Sequence, residues 1–136
     1  MSELNIQEAL RWLDYARQDL ITVSKMLQED GFSYRHACFW SQQAAEKALK
    51  SIFIYLQIDY PWRHDLDALR SLLPENWPAK HLQADLSRLT EWAVEALYPG
   101  EWDEATQADS QWAYQQASAI VESVTAEFIR RGVEPG

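Results

Sequence analysis

Two groups of side chains in this sequence have types and spacings that could do chemistry. The first is the pair Arg63-His64. A histidine can act as a general acid or base, and an arginine can stabilise charge on a phosphate, so this pair would suit metal-independent cleavage of RNA. The pair directly precedes a predicted short helix, whose free N–H groups also attract anions. The alternative is that His64 only caps or packs against the start of that helix.

The second group is a patch of five polar residues inside an otherwise apolar stretch, residues 37–58: Gln42, Gln43, Glu46, Lys47 and Lys50. Residues 43, 46, 47 and 50 share one face of a helix, and Glu46 precedes Lys50 by four positions, the favourable order for a helical ion pair. Two interpretations remain open. The patch is either a solvated surface or a hydrogen-bonded group that faces a groove, since buried polar groups need partners.

The stretch that carries the patch is predicted to be the central helix of the fold. It contains no glycine or proline and is rich in alanine and other good helix formers. Its small and apolar residues form two adjacent stripes: Ala37, Ser41, Ala44, Ala48, Ile52 and Tyr55, then Cys38, Ala45, Leu49, Phe53 and Leu56. A helix that is apolar on two neighbouring faces is expected to be contacted from more than one side.

The rest of the chain is predicted to form helices that position this one. Helix one is expected over Glu3–Glu29, and helix two to start after Ser33 as its N-cap and to end near Gln57. The other three are expected over Asp65–Leu73, Ala79–Leu97 and Asp103–Arg131. No segment alternates with the period of a strand. The predicted fold class is therefore all-α, an up-down bundle of four long helices plus one short helix, in a single domain over residues 1–136.

Charge and composition exclude several functions. The net charge of −9 argues against binding to nucleic acid or to an anionic membrane. Residues 35–63 are the exception, because four basic side chains there outnumber two acidic ones, so an anionic ligand would prefer this segment. No apolar run is long enough to cross a membrane, and no signal peptide is visible. A single cysteine, Cys38, fits a reducing cytoplasm.

The sequence gives little support for a metal site, a cofactor site or a catalytic nucleophile. The three histidines are scattered and form no metal-binding motif, and no glycine-rich phosphate loop occurs. Cys38 lies on an apolar stripe, which favours a buried, inert thiol over a catalytic one. We therefore predict neither a metal site nor a cofactor.

The run ACFWSQQAAEKALK at residues 37–50 resembles the signature of the HEPN domain family (higher eukaryotes and prokaryotes nucleotide-binding). Asp19-Leu20, His64-Asp65-Leu66 and Tyr98-Pro99 also occur in the order typical of that family, and the resemblance covers about residues 7–128. It implies an all-α bundle, frequent homodimerisation and a cytoplasmic prokaryotic setting. It also implies a separate minimal nucleotidyltransferase as partner, sometimes as a toxin–antitoxin pair.

Some HEPN proteins are RNases. Their catalytic motif is an arginine that is followed, after a spacer of four to six residues, by a histidine. No arginine stands at those distances before His36, His64 or His81, and Leu97 stands where many relatives carry an arginine before Tyr-Pro. We therefore predict a non-catalytic, dimeric binding module for a minimal nucleotidyltransferase, with a nucleotide held at the resembling positions Gln42, Gln43, Glu46, Lys47, Lys50 and His64. The alternatives are an RNase toxin that uses His64 and Arg63, and a purely structural scaffold.

Overall fold

The computed structural model describes residues 2–61 and 64–134, and within them the chain forms five α-helices and one short 3₁₀ turn. The α-helices are α1 (Glu3–Gln28), α2 (Tyr34–Leu56), α3 (Leu66–Ser71), α4 (Leu86–Glu95) and α5 (Gln107–Arg130), and the 3₁₀ turn is Pro78–His81. No strand occurs among the described residues. The predicted fold class, an all-α bundle of four longer helices and one short one, is confirmed.

Helix α2 is the centre of the bundle, as its two apolar stripes predict. It packs against α1, α3, α4 and α5. Its small residues, Ala44, Ala45 and Ala48, are fully buried, which lets the neighbouring helices approach closely. Helix α1 runs antiparallel to it and buries Ala9, Leu13, Ala16 and Val23, which lie on one face of the helix.

The predicted helix Ala79–Leu97 is wrong, because the chain is interrupted between the 3₁₀ turn and α4. The guanidinium of Arg70 donates to the carbonyl oxygens of Leu82 and Ala84, at 2.9 and 3.1 Å, which holds these groups outside any helix. The side chain of Asp85 then accepts from the backbone N–H of Arg88 and begins α4.

One predicted helix start also needs correction, and one is confirmed. Helix α5 begins at Gln107 instead of Asp103, because Thr106 and Asp109 form a capping box that fixes the start there. Ser33 does stand at the N-cap position of α2, but its side chain makes no capping hydrogen bond.

Candidate functional site

A buried polar network lies on the central helix. Gln42, Glu46 and Lys50 follow one another at four-residue intervals along α2, and their exposed fractions are 0, 5 and 5%. The carboxylate of Glu46 is the centre of the network. One oxygen, Oε1, lies 2.7 Å from Nδ1 of His64 and 3.2 Å from Nε2 of Gln42, and the other, Oε2, lies 3.3 Å from Nζ of Lys50. A buried carboxylate requires such partners, and here both oxygens have them.

The same network holds the segment before α3 against α2. Nε2 of Gln42 also donates to the backbone carbonyl oxygen of His64 at 3.3 Å, and Nε2 of Gln43 donates to Oε1 of Gln42 at 2.7 Å. We call Gln42, Gln43, Glu46, Lys50 and His64 together the Glu46 network. Its contacts join residues that are 18 and 22 positions apart in the chain.

His64 is where the Glu46 network reaches solvent, since 66% of its side chain is exposed. An ionised carboxylate only accepts hydrogen bonds, so with Glu46 ionised it is Nδ1 of His64 that carries the proton. Whenever the ring is neutral, Nε2 is then the nitrogen that can accept a proton. A histidine held in one tautomer by a carboxylate has the arrangement required of a general base.

Lys47 points away from the Glu46 network and joins α2 to α1. Its ammonium lies 2.6 Å from Oδ2 of Asp19, and 5.6 Å from the centre of the Trp40 ring. The two charged side chains are 21% and 16% exposed. Partial burial raises the pKa of Asp19 above its ordinary 3.8, and the hydrogen bond and charge of Lys47 only partly oppose that change.

A cavity of about 210 Å³ lies beside Lys47, on the outer side of the α1–α2 contact. The other residues that line it come from α1: Glu8, Arg11, Trp12 and Tyr15. Glu8 accepts hydrogen bonds from Arg11 and Trp12, at 3.2 and 3.1 Å, and Tyr15 is 52% exposed. Two aromatic rings and two cations therefore share one small opening, which we call the α1–α2 cavity.

The structure brings together five of the six sequence-predicted site residues, all except Lys47, in the Glu46 network. The interpretation of the patch as a plain solvated surface is wrong for Gln42, Glu46 and Lys50, which are buried. Whether these positions bind a ligand stays a prediction. Arg63 lies outside the described residues.

Sequence reasoning left out the α1 side chains that face this region. Asp19 lies 28 positions before Lys47. Trp12 and Tyr15 are spaced three apart on α1, next to the buried residue Leu13. Two signals were available: the predicted up-down order of helices one and two, which does not fix which residues face each other, and the Asp19-Leu20 pair of the family resemblance.

Other chemistry is less well supported. Cys38 is fully buried, as predicted, and burial raises the pKa of its thiol to about 12, which disfavours the reactive thiolate at neutral pH. Within residues 2–61 and 64–134, no group of three or more His, Cys, Asp or Glu side chains is placed to hold a metal ion. In the same part of the chain, every helix is too short or too polar to traverse a lipid bilayer.

Comparison with known proteins gives one family and one solved structure. The family model described as HEPN domain matches residues 9–128. No curated protein matches the chain. The crystal structure of TT1696 from Thermus thermophilus is similar at 27% sequence identity and a TM-score of 0.72, and the alignment covers 88% of this chain and 97% of that one.

Proposed function

Because this chain belongs to the HEPN domain family, we propose that it is a non-catalytic, dimeric binding module that partners a minimal nucleotidyltransferase. In this proposal the two proteins form a toxin–antitoxin-like pair in the cytoplasm, and the HEPN protein holds a nucleotide beside helix α2. The Arg-x4-6-His motif of the RNase members does not occur in the sequence, which is why the proposal assigns no catalysis.

The α1–α2 cavity is the observation that carries the nucleotide part of the proposal. Trp12 and Tyr15 offer aromatic surfaces on which a base can stack. Arg11 and Lys47 bring two positive charges to the same opening, where they pair with Glu8 and Asp19, and phosphate oxygens pair well with both basic side chains. The proposed site keeps Lys47, which is one of the six predicted site residues. The other residues that line it come from α1.

Calorimetric titration with ATP, GTP and AMP tests this site. Arg11→Met should weaken nucleotide binding about fivefold, which is the effect of losing one contact between unit charges in water. The partner of Arg11, Glu8, is 47% exposed, so the change leaves no buried charge unpaired. Lys25→Met removes an exposed charge near the end of α1 and is the matched control. Absence of heat with every nucleotide, or equal weakening by the two variants, would refute the site.

A dimer face is supported by exposed apolar side chains at the α1–α5 contact. Ile21 and Ile129 are 58% and 51% exposed and line one open groove together with Leu20 and Val121. Single exposed isoleucines are common, whereas contiguous exposed apolar surface is a feature of interaction sites. Ile21→Arg should convert the dimer into a monomer in sedimentation equilibrium. A wild-type protein that is monomeric at about 100 μM would contradict the proposed dimer, because obligate interfaces give far lower dissociation constants.

The partner is tested by coexpression. If the gene next to this one encodes a small nucleotidyltransferase, the two proteins should elute together in size-exclusion chromatography, and coexpression should relieve any growth arrest that one of them causes alone. Separate elution of two folded proteins would refute this part of the proposal.

One observation favours a second candidate function, an RNase. His64 is exposed and oriented by the carboxylate of Glu46, as a general base would be. Cleavage of RNA in the presence of EDTA by the wild type, together with its loss in His64→Ala, would support this candidate. Equal background cleavage by the two proteins would exclude it.

A further inference from the structure

The carboxylate of Asp19 holds one of the two cations that border the α1–α2 cavity. Oδ2 of Asp19 lies 2.6 Å from Nζ of Lys47, whose side chain also lines that cavity. The other cation, Arg11, pairs with Glu8 at 3.2 Å, but these two side chains are 69% and 47% exposed. Lys47 and Asp19 are more deeply buried, so water and salt weaken their attraction less. Lys47 is therefore the more firmly held of the two cations.

The Asp19 carboxylate depends on Lys47 in turn. Partial burial raises the pKa of Asp19, and the hydrogen bond and charge of Lys47 oppose that rise. A ligand that drew the ammonium of Lys47 into the cavity would leave a partly buried carboxylate without its cation, which is unfavourable. A phosphate that joined the existing pair would instead stand close to a second anion. By either route, the carboxylate of Asp19 opposes the binding of a phosphate at Lys47.

We propose that Asp19 determines how strongly the α1–α2 cavity distinguishes a nucleotide from a nucleoside. This role rests on the nucleotide site of the proposed function and belongs to a residue that does not itself line the cavity. While Asp19 is ionised and paired, Lys47 adds little affinity for a phosphate, and most of the binding comes from Arg11 and the two aromatic rings. Removal of the carboxylate releases the ammonium of Lys47, so it should strengthen nucleotide binding.

The test compares Asp19→Asn with the wild type in calorimetric titrations with ATP, AMP and adenosine. The variant should bind ATP and AMP at least about fivefold more tightly, because one like-charge contact at about 4 Å in water is removed. Adenosine carries no phosphate, so its affinity should change less than about twofold. Urea denaturation checks that the variant is folded, and Asp19→Ser provides a second neutral side chain at the same position.

Asp30→Asn is the matched control, since it makes the same change in net charge. Asp30 is exposed and stands beyond the end of α1 at Gln28. At about 1.5 Å per residue, that end is about 13 Å from Asp19 along the helix, farther than the screening length of about 8 Å at physiological salt. The control should therefore alter the affinity for ATP less than about twofold. The gain from Asp19→Asn should also shrink in a Lys47→Met background, because no ammonium remains to be released.

The binding results separate the role of Asp19 from the nucleotide site itself. Absence of binding of all three probes by the wild type and by the Asp19 variants would refute the nucleotide site and this role together. Wild-type binding of ATP that Asp19→Asn leaves unchanged or weakens would overturn the role of Asp19 alone, because Asp19 would then act only as a structural partner of Lys47. Equal gains with AMP and adenosine, or in Asp19→Asn and Asp30→Asn, would overturn it as well.

Discussion

The change Lys50→Met removes the cation from the most deeply buried ion pair among the described residues. The side chains of Lys50 and Glu46 are 6% and 7% exposed, and the ammonium lies 3.3 Å from Oε2 of Glu46. Loss of one partner of a buried pair costs about 3–5 kcal/mol, because the other charge stays buried. Here Gln42 and His64 still contact the carboxylate, and methionine preserves most of the packing of the lysine stem. We therefore expect the free energy of unfolding to fall by about 2–3 kcal/mol.

Urea denaturation followed by circular dichroism measures this loss. With a slope of about 2 kcal/mol per molar urea, the midpoint should fall by about 1–1.5 M. Lys47→Met is the matched control, since Lys47 and Asp19 are more exposed and their pair should contribute only about 1 kcal/mol. The double variant Lys50→Met with Glu46→Gln replaces the pair by neutral side chains and should be more stable than Lys50→Met alone. A loss below about 0.5 kcal/mol, or additive effects in the double-mutant cycle, would refute the role of this ion pair.

Three further predictions concern single side chains. Cys38 is buried with a thiol pKa of about 12, so at neutral pH a thiol reagent should label it no faster than the protein opens; labelling of the folded protein within seconds would contradict this. Thr106→Ala removes the side-chain cap shared with Asp109 and should lower the free energy of unfolding by about 1 kcal/mol in urea denaturation; an unchanged midpoint would contradict the capping role. The hydrogen bond from Arg130 lowers the pKa of Glu127 below its ordinary 4.5, so the resulting stability is present above pH 4.5 and is lost as the pH falls through the folded-state pKa. The difference in free energy of unfolding between wild type and Glu127→Gln should therefore be largest near neutral pH and shrink in acid, and a difference independent of pH would refute the pKa shift.

The two long N-terminal helices could be predicted because their signals are local. An unbroken three-and-four spacing of apolar residues marks α1, and two adjacent apolar stripes mark α2. The region of α4 could not be predicted in the same way. Its leucine spacing continues through Leu82 and Leu86, but the chain is held out of helix by Arg70, which lies 12 residues before Leu82. A tertiary contact of this kind overrides local propensity and leaves no local mark in the sequence.

In the candidate site too, local contacts could be predicted from the sequence and long-range contacts could not. The Glu46–Lys50 pair could be predicted, since four residues of helix place the two side chains side by side. The contacts of Glu46 with His64 and of Lys47 with Asp19 depend on how separate segments pack, across 18 and 28 residues. For the same reason, the sequence could not decide whether the polar patch faces solvent, because His64 contacts it only in the folded chain.

The burial of the Glu46 network limits what a ligand can touch. Gln42, Glu46 and Lys50 have their polar atoms directed at one another and at the backbone of His64, so they act first as a connection between α2 and the segment before α3. The charged or basic groups that a ligand can reach on this side of the molecule are the imidazole of His64, which is 66% exposed, and the ammonium of Lys47, which is 21% exposed. Changes at these two residues distinguish the RNase function from the nucleotide-binding function. Loss of activity on changing His64 alone would favour RNA chemistry, whereas loss of binding on changing the Lys47 side would favour the nucleotide.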